Sequence, residues 1–269
     1  MAGPSKTQNE SSMHTRNINT FTRCSLLAGA ILGLTLPFAH GANINWGAAQ
    51  NIAGDSDVSI GGTLVGAFNI GDGGVTATTV NGVAFQPFAL DSTSGPVDSG
   101  AKGDFLLTTA DLFVSDNSLF GSPAAPFSGL SADYKTLLQS GTLVTNFAIN
   151  PGAFSLTMSN LNLGTTYQFQ WWANLSDVGA LNHVALAGNS VTLSDNTTNL
   201  DGGLGQHAVG TFTADATSQV ITFEGVGSPN NYALINAFQL RQVPEPSSVA
   251  LLGLAVLALG FRTRCRRRG

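Results

Sequence analysis

The side chains able to do chemistry in this chain are few and widely spaced. Beyond residue 42 the only histidines are His183 and His207, with no second histidine or glutamate at ligand spacing around either, so the sequence does not build a zinc site. Asp55-Ser56-Asp57 and Asp72 lie in glycine-rich stretches. Oxygen-rich loops of this kind can hold Ca²⁺, and Asp55 and Asp57 are the first candidates for a structural ion; no other cofactor is implied. Their spacing matches no EF-hand loop, and an acidic surplus also serves solubility. In the run Thr166 to Ala173, period-two alternation puts Tyr167, Phe169 and Trp171 on one face and Gln168, Gln170 and Trp172 on the other. The first set reads as core. Trp172 beside two amides has the character of a sugar platform, and the competing reading packs it under a loop or the short helix. No Gly-x-Ser-x-Gly elbow occurs, and Glu224 is the only glutamate between residues 43 and 243, so a carboxylate pair would have to be built from aspartates. Gly71-Asp72-Gly73-Gly74 leads into neither a helix nor a lysine and reads as a turn, not a phosphate cradle. No residue is assigned a catalytic role, and the chain is expected not to be an enzyme.

The elements that must position these residues are strands. Between the chain ends apolar and polar residues alternate, broken by turn residues at intervals of about eight to twelve positions, which is the pattern of an all-β sandwich or barrel. The alternation predicts strands at Val58 to Ile60, Thr63 to Asn69, Thr76 to Val80, Phe105 to Thr108, Phe154 to Met158, Thr166 to Ala173, Ser190 to Leu193, Val209 to Ala214, Gln219 to Phe223 and Ala233 to Arg241. Asn81-Gly82 and Asp201-Gly202 supply residues that accept positive φ at turns. Ser131 to Gln139 reads as one short helix, with Tyr134, Leu137 and Leu138 on one face and Gly141 just past its end. Residues 91 to 103 read as a long loop. Trp46 reads as a core staple.

Charge is segregated along the chain. Residues 43 to 243 carry Lys102, Lys135 and Arg241 against 14 acids, a formal charge of −11, while the other eight basic residues lie in the two ends. A nucleic-acid binder needs Lys and Arg to neutralise phosphates, so that class is excluded. Both cysteines, Cys24 and Cys265, also lie in the ends, leaving the middle without a disulfide.

Residues 1 to 42 read as a secretory signal peptide: Arg16 and Arg23 form a basic region, Ser25 to Phe38 an apolar one, and Ala39-His40-Gly41-Ala42 a small-residue cleavage zone. Translation from Met13 instead of Met1 would give a more compact leader. Cys24 precedes the apolar region, where a lipoprotein cysteine would follow it. At the other end, Val243-Pro244-Glu245-Pro246 is followed by an uncharged run from Ser247 to Phe261 and then by Arg262, Arg264, Arg266, Arg267 and Arg268. The prolines block helix and strand pairing. As a helix the 15-residue run would rise about 22 Å, short for a hydrocarbon core of about 30 Å, with snorkelling arginines retaining their end in the cytoplasm. The middle of the chain is then exported. The domains expected are thus a leader at 1–42, a β-sandwich at 43–242 and a tail at 243–269.

That tail resembles the PEP-CTERM sorting signal of Gram-negative bacteria. The resemblance implies an exosortase-like transpeptidase as partner, recognition through Pro244, Glu245 and Pro246, anchoring in the inner membrane and then delivery to the cell surface or extracellular matrix, in association with exopolysaccharide or biofilm. A plain C-terminal anchor with a proline hinge is the alternative. The stretches Leu161 to Asn174, Gly210 to Ala214 and Leu234 to Arg241 are similar to the closing strands of galactose-binding-like jelly-roll domains. This implies a jelly-roll-like sandwich but no activity. A carbohydrate-binding module using Trp172, Gln168 and Gln170, or a secreted polysaccharide-active enzyme, stand as the other functions to weigh.

Overall fold

The structure, a computed structural model, describes residues 41–90, 97–145, 152–177, 179–227 and 232–244. The leader up to His40, and Glu245, Pro246, the apolar run and the arginine tail, lie outside the described residues. Among the described residues no helix is long and apolar enough to cross a membrane.

The chain forms an all-β sandwich with one short helix. Its strands are β1 (Asn45–Trp46), β2 (Gln50–Asn51), β3 (Thr63–Gly71), β4 (Thr78–Val80), β5 (Val83–Ala89), β6 (Val97–Lys102) and β7 (Phe105–Asp116). After helix α1 (Ala132–Gln139) come β8 (Gly141–Thr145), β9 (Ala153–Met158), β10 (Thr166–Ala173), β11 (Asn182–Ala187), β12 (Asn189–Ser194), β13 (Gln206–Thr213), β14 (Gln219–Val226), β15 (Ala233–Ile235) and β16 (Ala237–Gln242). One sheet has the order β1-β13-β10-β16-β3-β5-β4, with β2 beside β13; the other has β12-β11-β14-β9-β7-β8-β15, with β6 beside β7.

The alternating aromatic residues fill the space between the sheets. Trp171 of the first sheet meets Phe223 of the second edge-on at 4.9 Å, Phe223 stacks on Phe154 at 4.8 Å, and Phe68 meets Phe105 at 4.8 Å. Each large ring removed from water contributes on the order of 2–3 kcal/mol before ordering entropy is charged against it. Tyr167, Phe169 and Trp171 are all buried, as the alternation predicts. Trp46 packs against the same core, edge-on to Phe169 at 6.1 Å.

The first sheet has a second buried face. Over it lie α1 and the segment leading to β3, enclosing Ile52, Val58, Val80, Val83, Phe85, Tyr134, Leu137, Leu138 and Trp172 in a separate apolar cluster. Ser131 caps α1 by accepting the Tyr134 amide at 3.1 Å, which turns Tyr134, Leu137 and Leu138 onto the sheet.

Three expectations about elements are corrected. Val58 to Ile60 is not a strand, because its backbone is taken by side chains: Asn81 Nδ2 donates to the Val58 carbonyl, the Ser59 amide donates to Gln170, and the Ser59 and Ile60 carbonyls accept from Gln239 and Arg241. The expected loop at 91–103 contains β6, paired with β7. The expected strand Ala233 to Arg241 is two strands in different sheets, broken at Asn236. The buried Asn236 amide makes that crossing workable: Nδ2 donates to the Leu138 and Ser140 carbonyls at 2.9 Å each, and Oδ1 accepts the Asn174 amide at 2.6 Å. The Asn81-Gly82 turn is as expected, with φ of 48° and 76° between β4 and β5.

Candidate functional site

The structure brings together most of the residues singled out on β10, but underneath a cover. Trp172 and Gln170 are fully buried, and Gln168 is half-buried. Trp172 Nε1 donates to the Tyr134 hydroxyl at 3.0 Å, and that hydroxyl donates to Asp57 Oδ2 at 3.0 Å. The ring also meets Phe85 edge-on at 5.7 Å. Trp172 therefore offers no face to a sugar: alternation assigned it correctly to the second face of the sheet, and α1 then covers that face. Gln170 is equally occupied. Its Nε2 donates to the Asp57 carbonyl at 2.7 Å, and its Oε1 accepts from Ser59 N at 3.0 Å and Gln239 Nε2 at 2.7 Å.

The acidic turn Asp55 to Asp57 belongs to the same assembly, as a clamp. Asp57 Oδ2 accepts the Ala53 amide at 2.7 Å and the Gly54 amide at 3.0 Å in addition to Tyr134, while Asp55 Oδ1 accepts the Ser131 hydroxyl at 2.6 Å. The two carboxylates expected as Ca²⁺ ligands fasten the β2–β3 connection to the start of α1. Among the described residues no group of three or more His, Cys, Asp or Glu side chains is placed to hold a metal ion. Burial, followed by the Asp57 charge, raises the Tyr134 hydroxyl well above the ordinary phenol range, so it remains a protonated donor.

His207 lies at the edge of this network, with Nδ1 3.3 Å from Gln170 Nε2. Desolvation lowers its pKa from the ordinary 6.5, partly opposed by the Asp57 charge. A histidine held neutral by folding contributes stability at pH values above 6.5 that is lost as pH falls toward its lower folded value. Urea unfolding between about pH 5 and 7 should show this loss, and His207→Gln should flatten the profile in that window. An identical profile for both proteins would remove His207 from the account. His183, on β11 of the other sheet, has its buried partner Asp195 in the β12–β13 connection.

A solvent-facing groove that sequence reasoning missed opens where the loop after β7 meets α1. Its volume is about 410 Å³, over the buried ring of Phe127, with Ser118, Ser122, Ser128, Lys135 and Gln139 on its walls. Lys135 Nζ donates to the Ser128 carbonyl at 3.2 Å. The only signal in the sequence was Lys135, one of three cations in a segment with 14 acids.

At the C-terminal end, β16 runs to Gln242 in the interior of its sheet, between β10 and β3, and the Val243 amide donates to the Thr166 carbonyl at 2.9 Å. Arg241, also buried, donates to the carbonyls of Ile60, Gly61 and Gly62 and to Gln239 Oε1. Val243 and Pro244 are the last described residues.

From that point the chain is defined by its tail. Residues 242–268 match the PEP-CTERM protein-sorting motif. The motif marks exosortase-dependent export and sorting to the cell envelope, and this β-sandwich protein carries it directly after its last strand. A comparison with curated proteins gave no match. Among solved structures, one from a report on the structural basis of promiscuous specificity in carbohydrate-binding modules of the β-sandwich superfamily is similar at 12% identity. The likeness covers 62% of this chain and 72% of the other, with a TM-score of 0.26. A likeness of that degree assigns this chain neither a ligand nor an activity.

Proposed function

We propose that this protein is a non-catalytic envelope protein, carried across the inner membrane, held there by its apolar run, and then handed by an exosortase-like transpeptidase to the cell surface or extracellular matrix. The observation that carries the reading is the order of parts at the C-terminus: a completed sandwich, Val243, Pro244-Glu245-Pro246, an uncharged run and five arginines, over a match to the sorting motif at 242–268. Two prolines just beyond the last strand keep the peptide extended and out of the sheet, the form a transpeptidase needs. We propose exopolysaccharide as its partner at the surface. The groove walled by Ser128, Lys135 and Gln139 is the surface this reading offers for such a contact, Trp172 being buried. The −11 charge of the middle favours a neutral polymer over an anionic one.

Intact mass of the mature protein from its native host tests the sorting step. The wild-type mass should end near residue 245, and Pro244→Ala/Glu245→Ala/Pro246→Ala should retain the whole tail. An uncut tail in both would reduce the protein to a simple anchored β domain.

A further inference from the structure

The distance between fold and membrane is short enough to fix how the sandwich stands. From Val243, bonded to the start of β10, to Ser247, where the uncharged run begins, there are four peptide steps, about 14 Å at full extension. The headgroup layer alone is about 5–7 Å thick on each side of the hydrocarbon. An apolar run of about 22 Å in a core of about 30 Å draws its ends inward, not outward. Whichever end of the sandwich β16 leaves must therefore sit within a few ångströms of the lipid.

That end is identified by its hydrogen bonds. Val243 meets Thr166, Gly164 and Thr165 meet Ala214, Leu161 meets Thr217, and Ser159 meets Asp104. The start of β3 lies beside the end of β16, with Thr63 opposite Gln242. Among the described residues, this end carries the exposed aliphatic side chains Ile60 at 62%, Leu163 at 62% and Leu64 at 38% exposure, while Leu119 and Leu200 are exposed at the far end. β3, β16 and β10 are successive strands, so the chain leaves between the strand that follows Ile60 and the strand that follows Leu163. Charge is divided the same way. Lys102 accompanies Asp104 and Asp215 at the exit end, whereas Asp72, Asp116, Asp177 and Asp201 gather at the far end, with Lys135 on the adjacent groove, where β3, β7, β10 and β12 finish and β13 begins.

We propose that, while the tail is in the membrane, the exit end of the sandwich rests on the lipid headgroups through Ile60, Leu64 and Leu163, with the acidic end and its groove pointing outward. Aliphatic side chains enter the interface, and the aspartate-rich end is kept away from anionic lipid. This rests on the reading of residues 247–261 as the membrane-entering run. It adds an orientation: the sorting motif lies between lipid and sandwich, and the groove faces away from both.

The test uses the full chain with Cys24→Ser and Cys265→Ser, in vesicles of phosphatidylethanolamine and phosphatidylglycerol. Single cysteines at Ile60→Cys, Leu163→Cys and, at the far end, Leu200→Cys carry a fluorophore quenched by headgroup-attached nitroxide lipids. Leu200 is 64% exposed, so all three labels start equally solvated. The expected result is quenching several-fold stronger at 60 and 163 than at 200, falling to the level of 200 when a flexible glycine-serine spacer is inserted between Val243 and Pro244. Equal quenching at all three sites in a chain that floats with the vesicles, or strongest quenching at 200, would overturn the docking while leaving the anchor intact. A chain that does not float would overturn the anchor and the docking with it.

Discussion

Trp172→Ala should lower the unfolding free energy by about 3–5 kcal/mol, the range for a large aromatic residue deleted from a well-packed site. For a domain of this size that corresponds to a fall in Tm of roughly 6–20 °C. The ring is fully buried between the first sheet and α1, edge-on to Phe85, and its removal also takes away the donor that Tyr134 accepts. Tyr134 would keep its bond to Asp57, so the helix clamp should loosen without detaching. Trp172→Phe separates the two contributions, since it retains most of the apolar volume but not Nε1–H. It should cost about 1–2 kcal/mol, in the range of a lost buried hydrogen bond. Urea unfolding followed by near-ultraviolet circular dichroism reads both. A Trp172→Ala protein with unchanged stability would mean that the ring is not packed beneath α1, and would return it to the surface as a ligand platform.

The contrast between Trp171 and Trp172 shows what period-two alternation does and does not encode. It assigned Thr166 to Ala173 to a strand with the observed limits, and it placed the two indoles on opposite faces. It carries no information on whether a face is wet. The cover over Trp172 comes from Tyr134, 38 positions earlier, and the lid over Gln170 from Asp57, 113 positions earlier, and these separations leave no local trace. Asp55 and Asp57 show the same limit: a carboxylate that caps a turn and fastens a helix has the same local sequence as one that ligates an ion. Local features fared better. The Ser131 cap, the positive-φ Asn81-Gly82 turn and the buried face of α1 each depend on residues within a few positions of one another. Asn236 lies between these cases, because an asparagine inside a strand pattern is a recognisable irregularity, yet its use as the crossing point between sheets depends on the carbonyls of Leu138 and Ser140. The tail was the most legible part of all, since a sorting motif is read by another protein as a linear string and needs no partner elsewhere in its own chain.

Asp195→Ala should be as damaging as any substitution in the second sheet, at about 3–5 kcal/mol, although nothing in the spacing of the histidines pointed to it. His183 Nε2 and Asp195 Oδ2 are 3.0 Å apart with both side chains fully buried, and His183 Nδ1 lies 2.8 Å from the Tyr232 carbonyl. The ring is thus held at both nitrogens, by the carboxylate of Asp195 on one side and the Tyr232 carbonyl on the other. Asp195 Oδ1 in turn accepts the Leu181 amide at 2.8 Å. The pair thus ties the start of β11, the β12–β13 connection and the chain entering β15. Removing one member leaves the other buried without its hydrogen-bond partner, and the desolvation cost of that group then falls on the folded state. Replacing both members removes both unpaired groups. His183→Leu/Asp195→Leu should therefore be less destabilised than Asp195→Ala, despite changing twice as many residues. Urea unfolding of His183→Leu, Asp195→Leu and the double variant measures the coupling as a double-mutant cycle. Strictly additive losses would mean that the two groups do not interact, and the buried contact would then contribute nothing to holding these three segments together.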